Sequence, residues 1–99
     1  MSRGKRTDGN QHALDALARK LGAMIIHASN APELGFDRVY VRGEAFIVEV
    51  KDGRLPPSKR QLTDNELKVK AQIEYAGGRY HVIESEDDLL KLFGLKSEL

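Results

Sequence analysis

The chain has 99 residues, 40% of them hydrophobic and 31% charged, with a formal net charge of +1 and no cysteine. That length suits one domain, and the balance excludes a collagen, a coiled-coil rod and a wholly disordered chain. The lack of cysteine excludes disulfide frameworks and thiolate metal sites, and no apolar run approaches the ~20 residues that span a bilayer.

Residues 1–7 carry Arg3, Lys5 and Arg6 and read as a disordered basic tail. No apolar segment follows it, so no secretory signal is expected and a cytoplasmic location is the default expectation. Residues 8–99 read as a single domain. Leu14, Leu17, Ala18 and Leu21 recur at helical spacing between an Asp8 cap and the Gly22 stop, which predicts a helix over 8–21. Ala23–Ala28 is a short apolar run closed by the turn-prone Ser29-Asn30-Ala31-Pro32, and reads as a buried strand. Asp37–Arg42 alternates, Gly43-Glu44 turns, and Ala45–Lys51 supplies the partner of a hairpin. Residues 52–62 hold Gly53, Pro56 and Pro57 and read as a loop.

The next segment carries two periodicities. Leu67, Val69, Ala71, Ile73 and Tyr75 alternate as in a strand, whereas Leu67, Ala71 and Tyr75 also form a helical stripe. Thr63-Asp64-Asn65-Glu66 is a capping box, and the stretch is longer than an ordinary strand of ~5–6 residues, so a helix ending at Gly77-Gly78 is expected. Arg79–Ile83 then reads as a strand. Ser85 caps a last helix whose acidic first turn, Glu86-Asp87-Asp88, suits the positive end of the helix dipole. The order α-β-β-β-α-β-α gives an α/β fold, a mixed sheet with helices at both ends of the chain to cover its two faces.

The hairpin carries the chemistry. On its second strand Phe46, Val48 and Val50 share one face, and Ala45, Ile47, Glu49 and Lys51 share the other. Charges on an interior strand are unfavourable unless paired or bound to something. Asp37 opens the first strand, so the fold of the hairpin brings it to the end that holds Glu49 and Lys51. Two close carboxylates repel, a hard divalent cation such as Mg²⁺ relieves that repulsion, and water on the cation acidifies. Phosphodiester hydrolysis is the reaction such a set serves. For Asp37 to share a face with Glu49, residues paired across the hairpin must sum to an even number; a plain two-residue turn makes the sum odd. A three- or five-residue connection, or a bulge, is therefore expected.

Gly35-Phe36-Asp37, the block Phe46-Ile47-Val48-Glu49-Val50-Lys51-Asp52-Gly53, and then Pro56-Pro57-Ser58 and Leu62-Thr63, resemble the small phage and prophage nucleases of the VRR-NUC family. The resemblance implies a restriction-endonuclease-like PD-(D/E)XK core, with Asp37, Glu49 and the Val50 carbonyl as metal ligands and Lys51 as the catalytic lysine. It implies Mg²⁺, with Mn²⁺ as substitute, and a homodimer acting on branched DNA in the manner of a Holliday-junction resolvase. Two positions depart from the family. Phe36 stands where a proline is usual, and Ala13 stands where the first helix usually carries a metal-binding Glu; Gln11 and Asp15 are the auxiliary candidates to replace it.

Arg54, Ser58, Lys59 and Arg60 follow the candidate site and are the expected nucleic-acid contacts, although on charge alone this cluster is a solvated loop. Asp15 is equally explained by pairing with Arg19, and Glu66 by its capping role. His12, His27 and His81 have no metal-like spacing, and Tyr40, Tyr75 and Tyr80 read as sheet-packing residues. The alternative to an endonuclease is a catalytically inactive DNA-binding module of the same fold, in which Ala13 marks the decay of the site. A small interaction protein whose Asp, Glu and Lys are an ion-pair cluster is the bland third reading.

Overall fold

In a computed structural model, which describes residues 9–96, the expected elements appear in the expected order. The basic tail read at 1–7 and the Asp8 cap lie outside the described residues. Helix α1 is Gly9–Lys20, followed by strands β1 (Met24–His27), β2 (Arg38–Val41) and β3 (Ala45–Val50). Helix α2 (Asp64–Tyr75), strand β4 (Tyr80–Ile83) and helix α3 (Glu86–Leu92) complete the chain. The two segments read as irregular each contain a short 3₁₀ turn, Pro32–Leu34 and Pro57–Lys59, because proline presets the φ angle that begins such a turn.

The strands form one mixed sheet in the order β1-β2-β3-β4. The first three pair antiparallel, and β3 pairs parallel with β4 across the α2 crossover. Strand β3 is thus interior, as expected, and its charges have to be paired or bound there. The hairpin has a three-residue connection, Arg42-Gly43-Glu44, with Gly43 at φ 78°. Arg38 faces Val48 and Val41 faces Ala45, which gives the even register.

That register sorts the side chains. Tyr40, Val48, Val50 and Ile83 look to one face, where Leu14 and Ala18 of α1 and Leu89 and Phe93 from the α3 end close the core. Leu14, Tyr40, Val48 and Leu89 are fully buried, and truncating such a leucine to alanine costs about 2–5 kcal/mol. Both terminal helices lie on this one face. The expectation that they divide the two faces between them is corrected: α2 takes the second face, because the parallel β3–β4 connection must cross over the sheet and carries α2 with it.

Helix α2 forms for the local reason expected. The Thr63 hydroxyl accepts from the Glu66 amide, and the Glu66 carboxylate accepts from the Thr63 amide. Its inward side differs from the expected stripe, however. Val69, Lys70 and Ile73 are half-buried with Glu66, whereas Leu67, Ala71 and Tyr75 point outward. Tyr75 is 95% exposed and packs on no sheet, unlike Tyr40 and Tyr80, which are buried as expected. The rotation follows from Gly35, where Val69 packs so closely that an added Cβ would meet its Cγ2 at 2.6 Å.

Candidate active site

Asp37 sits one step before β2. Its amide donates to the Val48 carbonyl at 3.1 Å, one residue short of the Glu49 that the register would place opposite it, so the pairing is offset here, and its carboxylate lies close enough to Glu49 to act on its charge. The carboxylate is then held by the chain itself, since Oδ2 accepts from the Val50 amide at 2.8 Å. Val50 turns its side chain to the core, where it is 3% exposed, so its backbone alone faces the site.

Glu49 is 4% exposed, and its Oε1 is buried with no hydrogen-bond partner. Its Oε2 lies 3.3 Å from Lys51 Nζ. Lys51 is shared, because Nζ also donates to Glu66 Oε1 at 3.0 Å. Glu66 therefore does two things with one carboxylate. It closes the capping box of α2 and it anchors the lysine. The sequence offered the capping box as a sufficient account of Glu66; the spacing of Lys51 and Glu66 carries no sign of contact, which only the α2 crossover creates.

The electrostatics follow from burial and from the carboxylates' mutual repulsion. Burial, then the negative charge of Asp37, then the hydrogen bond to Glu66 and its charge, push the Glu49 carboxyl up to about 8. Burial also raises Asp37, against the pull of the Val50 amide and the nearby Arg38 and Lys51. For Lys51, burial disfavours the ammonium, but Glu66 and Glu49 outweigh it and hold the group above its ordinary range. Burial likewise opposes the charge on Glu66, and the Thr63 amide, a hydrogen bond with the Glu49 carboxyl and then Lys51 overcome it, leaving that carboxyl below its usual range. Lys51 and Glu66 are thus a stable ion pair, and Asp37 with Glu49 is the pair under electrostatic stress. Tyr80 lies against the same cluster, with its hydroxyl donating to the Gly35 carbonyl at 2.6 Å.

Helix α1 closes the end of the sheet. Asn10 Nδ2 donates to the Lys51 carbonyl at 2.8 Å and to the Glu84 carbonyl at 3.1 Å, tying β3, β4 and α1 together. Gln11 Nε2 reaches Asp37 Oδ2 at 3.4 Å, so this auxiliary candidate stands at the site. Asp15 does not. It is buried on the core face, where its carboxylate accepts from Arg38 Nη1 at 3.1 Å and from the Tyr40 hydroxyl at 2.8 Å. Its partner is Arg38 across the helix–sheet interface and not Arg19 along the helix.

The four loop residues divide. Arg54 is exposed and forks onto Asp52 through Nε and Nη2, each at 2.9 Å. Ser58 and Lys59 are exposed on the 3₁₀ turn. Arg60 donates to Glu84 Oε1 at 2.9 Å and is half-buried, so it fastens the loop to the end of β4.

The donor set suits a hard cation. Carboxylate and carbonyl oxygens are the ligands Mg²⁺ prefers, and the orphaned, buried Glu49 Oε1 lacks the partner that a cation would be. Among the described residues no three His, Cys, Asp or Glu side chains gather into a group able to hold a metal. Lys51 lies between Glu49 and Glu66, so Asp37 and Glu49 would share a cation with backbone and water oxygens. No protein family, curated protein or solved structure matches the chain in the comparisons made.

Proposed function

We propose that the chain is a Mg²⁺-dependent DNA endonuclease with a PD-(D/E)XK core, hydrolysing phosphodiester bonds at Asp37, Glu49 and Lys51. The observation that carries this reading is the juxtaposition of Asp37 with a buried Glu49 whose Oε1 is unpartnered, beside an anchored ammonium. Asp37, Glu49 and the Val50 carbonyl would hold Mg²⁺ or Mn²⁺, with Gln11 orienting Asp37. A divalent ion so bound would supply an activated water and polarise the phosphate.

The chain's own residues have separable tasks. The Val50 amide fixes Asp37, so the acceptor oxygens are in place before substrate arrives. Glu66 holds Lys51, whose raised proton affinity makes it a permanent cation. A permanent cation suits charge neutralisation on the scissile phosphate better than removal of a proton from water. A chain of this size has little surface for reading bases, which favours recognition of shape and backbone. The substrate assigned is branched DNA, cut by a homodimer whose two sites address two strands.

Cleavage of linear, flapped and four-way DNA, with Mg²⁺ and with EDTA, tests the proposal. Wild type cuts at least one branched form only with metal, and Glu49→Gln and Lys51→Ala cut none. Metal-independent cutting, or full activity in both variants, overturns it. DNA binding without cleavage under every metal tried establishes the inactive binding module instead.

A further inference from the structure

Beyond Asp37, on the far side of Gln11, α1 and the β1–β2 edge enclose a cleft of about 370 Å³. That is within the size range of small-molecule sites, roughly 300–1,000 Å³. Arg38 and Asp15 are its buried members, and His12, Arg19, His27 and Ser29 line it from exposed positions. His27 stands opposite Arg38 in the β1–β2 ladder, so both project to the face that α1 covers.

Arg38 is the informative residue. Its side chain is 2% exposed, both of its hydrogen bonds leave from Nη1 toward Asp15, and its Nε is buried without a partner. Asp15 accepts from Arg38 and from the Tyr40 hydroxyl, and its hydrogen bonds leave the Arg38 Nε unmet. A buried guanidinium with a donor to spare is unfavourable unless an acceptor arrives. Around it stand a second guanidinium, two imidazoles and a hydroxyl, a set rich in donors and poor in free acceptors. Planar guanidinium donors match phosphate oxygens in particular.

We propose that this cleft binds a phosphate group, with Arg38 at its floor and Arg19, His12, His27 and Ser29 around it. Gln11 belongs both to the cleft and to the Asp37 contact, so the two sites adjoin. On the nuclease reading, which this assignment of the ligand rests on, the phosphate is one on the same strand as the phosphate presented to Asp37 and Glu49. The carrier is then either an internal phosphodiester or a terminal phosphomonoester.

Metal-free binding experiments separate these cases. Arg38 supports the fold through Asp15, so the informative variant is Arg19→Ala combined with His27→Ala, two exposed positions outside the candidate active site. In EDTA, replacing chloride with inorganic phosphate at constant ionic strength should shift the Ser29 and Arg38 amide resonances saturably in wild type and not in the double variant. Absent shifts, or equal shifts in both proteins, overturn the proposal. The second arm compares a 5′-phosphorylated with a 5′-hydroxyl oligonucleotide. A several-fold loss of affinity confined to the phosphorylated strand identifies a terminal phosphate, and an equal loss for both strands identifies an internal one. No loss for either, with the inorganic phosphate shifts intact, overturns the nucleic-acid carrier and leaves a site for free phosphate. Since neither arm reads cleavage, a protein that passes both and never cuts DNA upholds the cleft and overturns only the nuclease.

Discussion

Glu49 shows how one buried atom sets the behaviour of the free protein. Its folded-state pKa of about 8 lies above the ordinary 4.5, so the neutral form is the one the fold favours. Below about 4.5 both folded and unfolded chains carry it protonated, and its contribution to stability is complete. As pH rises toward 8 the unfolded chain ionises freely while the folded one is opposed by burial and by Asp37, and stability falls. Asp37, also raised, acts in the same direction. Glu66, lowered, has the opposite sign, and that contribution is lost only at acid pH. Thermal melts in EDTA should therefore show a lower Tm at pH 8 than at pH 6 for wild type, and a smaller drop for Glu49→Gln. Mg²⁺ at pH 8 should raise the wild-type Tm and leave Glu49→Gln unmoved, because a ligand stabilises only the state that binds it. Equal slopes in the two proteins would remove the electrostatic stress from the account. Asp37 differs, because its Oδ2 accepts from the Val50 amide. Asp37→Ala strands that donor and costs about 1–3 kcal/mol if it stays buried, whereas Asp37→Asn keeps an acceptor.

The hairpin and α2 decide which side chains meet. Arg42-Gly43-Glu44 sets the parity that puts Asp37 on the face of Glu49. Deleting Gly43 reverses that parity for one strand and drives either the apolar row or the charged row to the wrong side. The expected result is a loss of about 3 kcal/mol or more, in the range of severe core changes, together with loss of cleavage. Inserting two residues after Gly43 preserves parity and adds mainly loop entropy, under about 1 kcal/mol, so urea denaturation and cleavage should both stay near wild type. At the other contact, Gly35 has φ 77° and no room for a Cβ against Val69. Gly35→Ala meets a left-handed penalty of about 1–2 kcal/mol and pushes α2, with Glu66, away from Lys51. Adding Val69→Ala should restore part of the cleavage by relieving the collision, while the stability loss from φ remains in the denaturation midpoint.

Across the whole molecule the two sheet faces are covered unequally. Helices α1 and α3 close one face, while α2 packs on β4 and the Pro32–Leu34 turn of the other. Met24 and Ile26 on β1 are 62% and 47% exposed, and Leu67 and Tyr75 on α2 are 51% and 95% exposed. A contiguous apolar patch is what a partner surface uses, and the homodimer of the proposed function would draw on these side chains. Sedimentation velocity at micromolar concentration should give a dimer for wild type and a monomer for Ile26→Asp with Tyr75→Asp. A monomeric wild type overturns the homodimer. No helix among the described residues is long and apolar enough to cross a membrane.

Much of this architecture was legible in the residues, and for a local reason. Caps, alternation and turn chemistry act within a few neighbours, so Thr63 with Glu66, Ser85 with Asp88 and the row Phe46-Val48-Val50 announced a helix start, another helix start and a core strand. The convergence of Asp37 with Glu49 was legible too, because strand parity is arithmetic once a hairpin is granted. What only the tertiary structure decided depends on which surfaces meet across tens of residues. It sent α2 to the second face and turned Val69 and Ile73 inward in place of Leu67 and Tyr75. The same packing gave Asp15 to Arg38 and brought Glu66 onto Lys51. A carboxylate on a helix has many cations within reach in an unfolded chain, and helix periodicity alone does not choose among them. Burial does, because only the packed chain removes the water that would otherwise satisfy each of those groups.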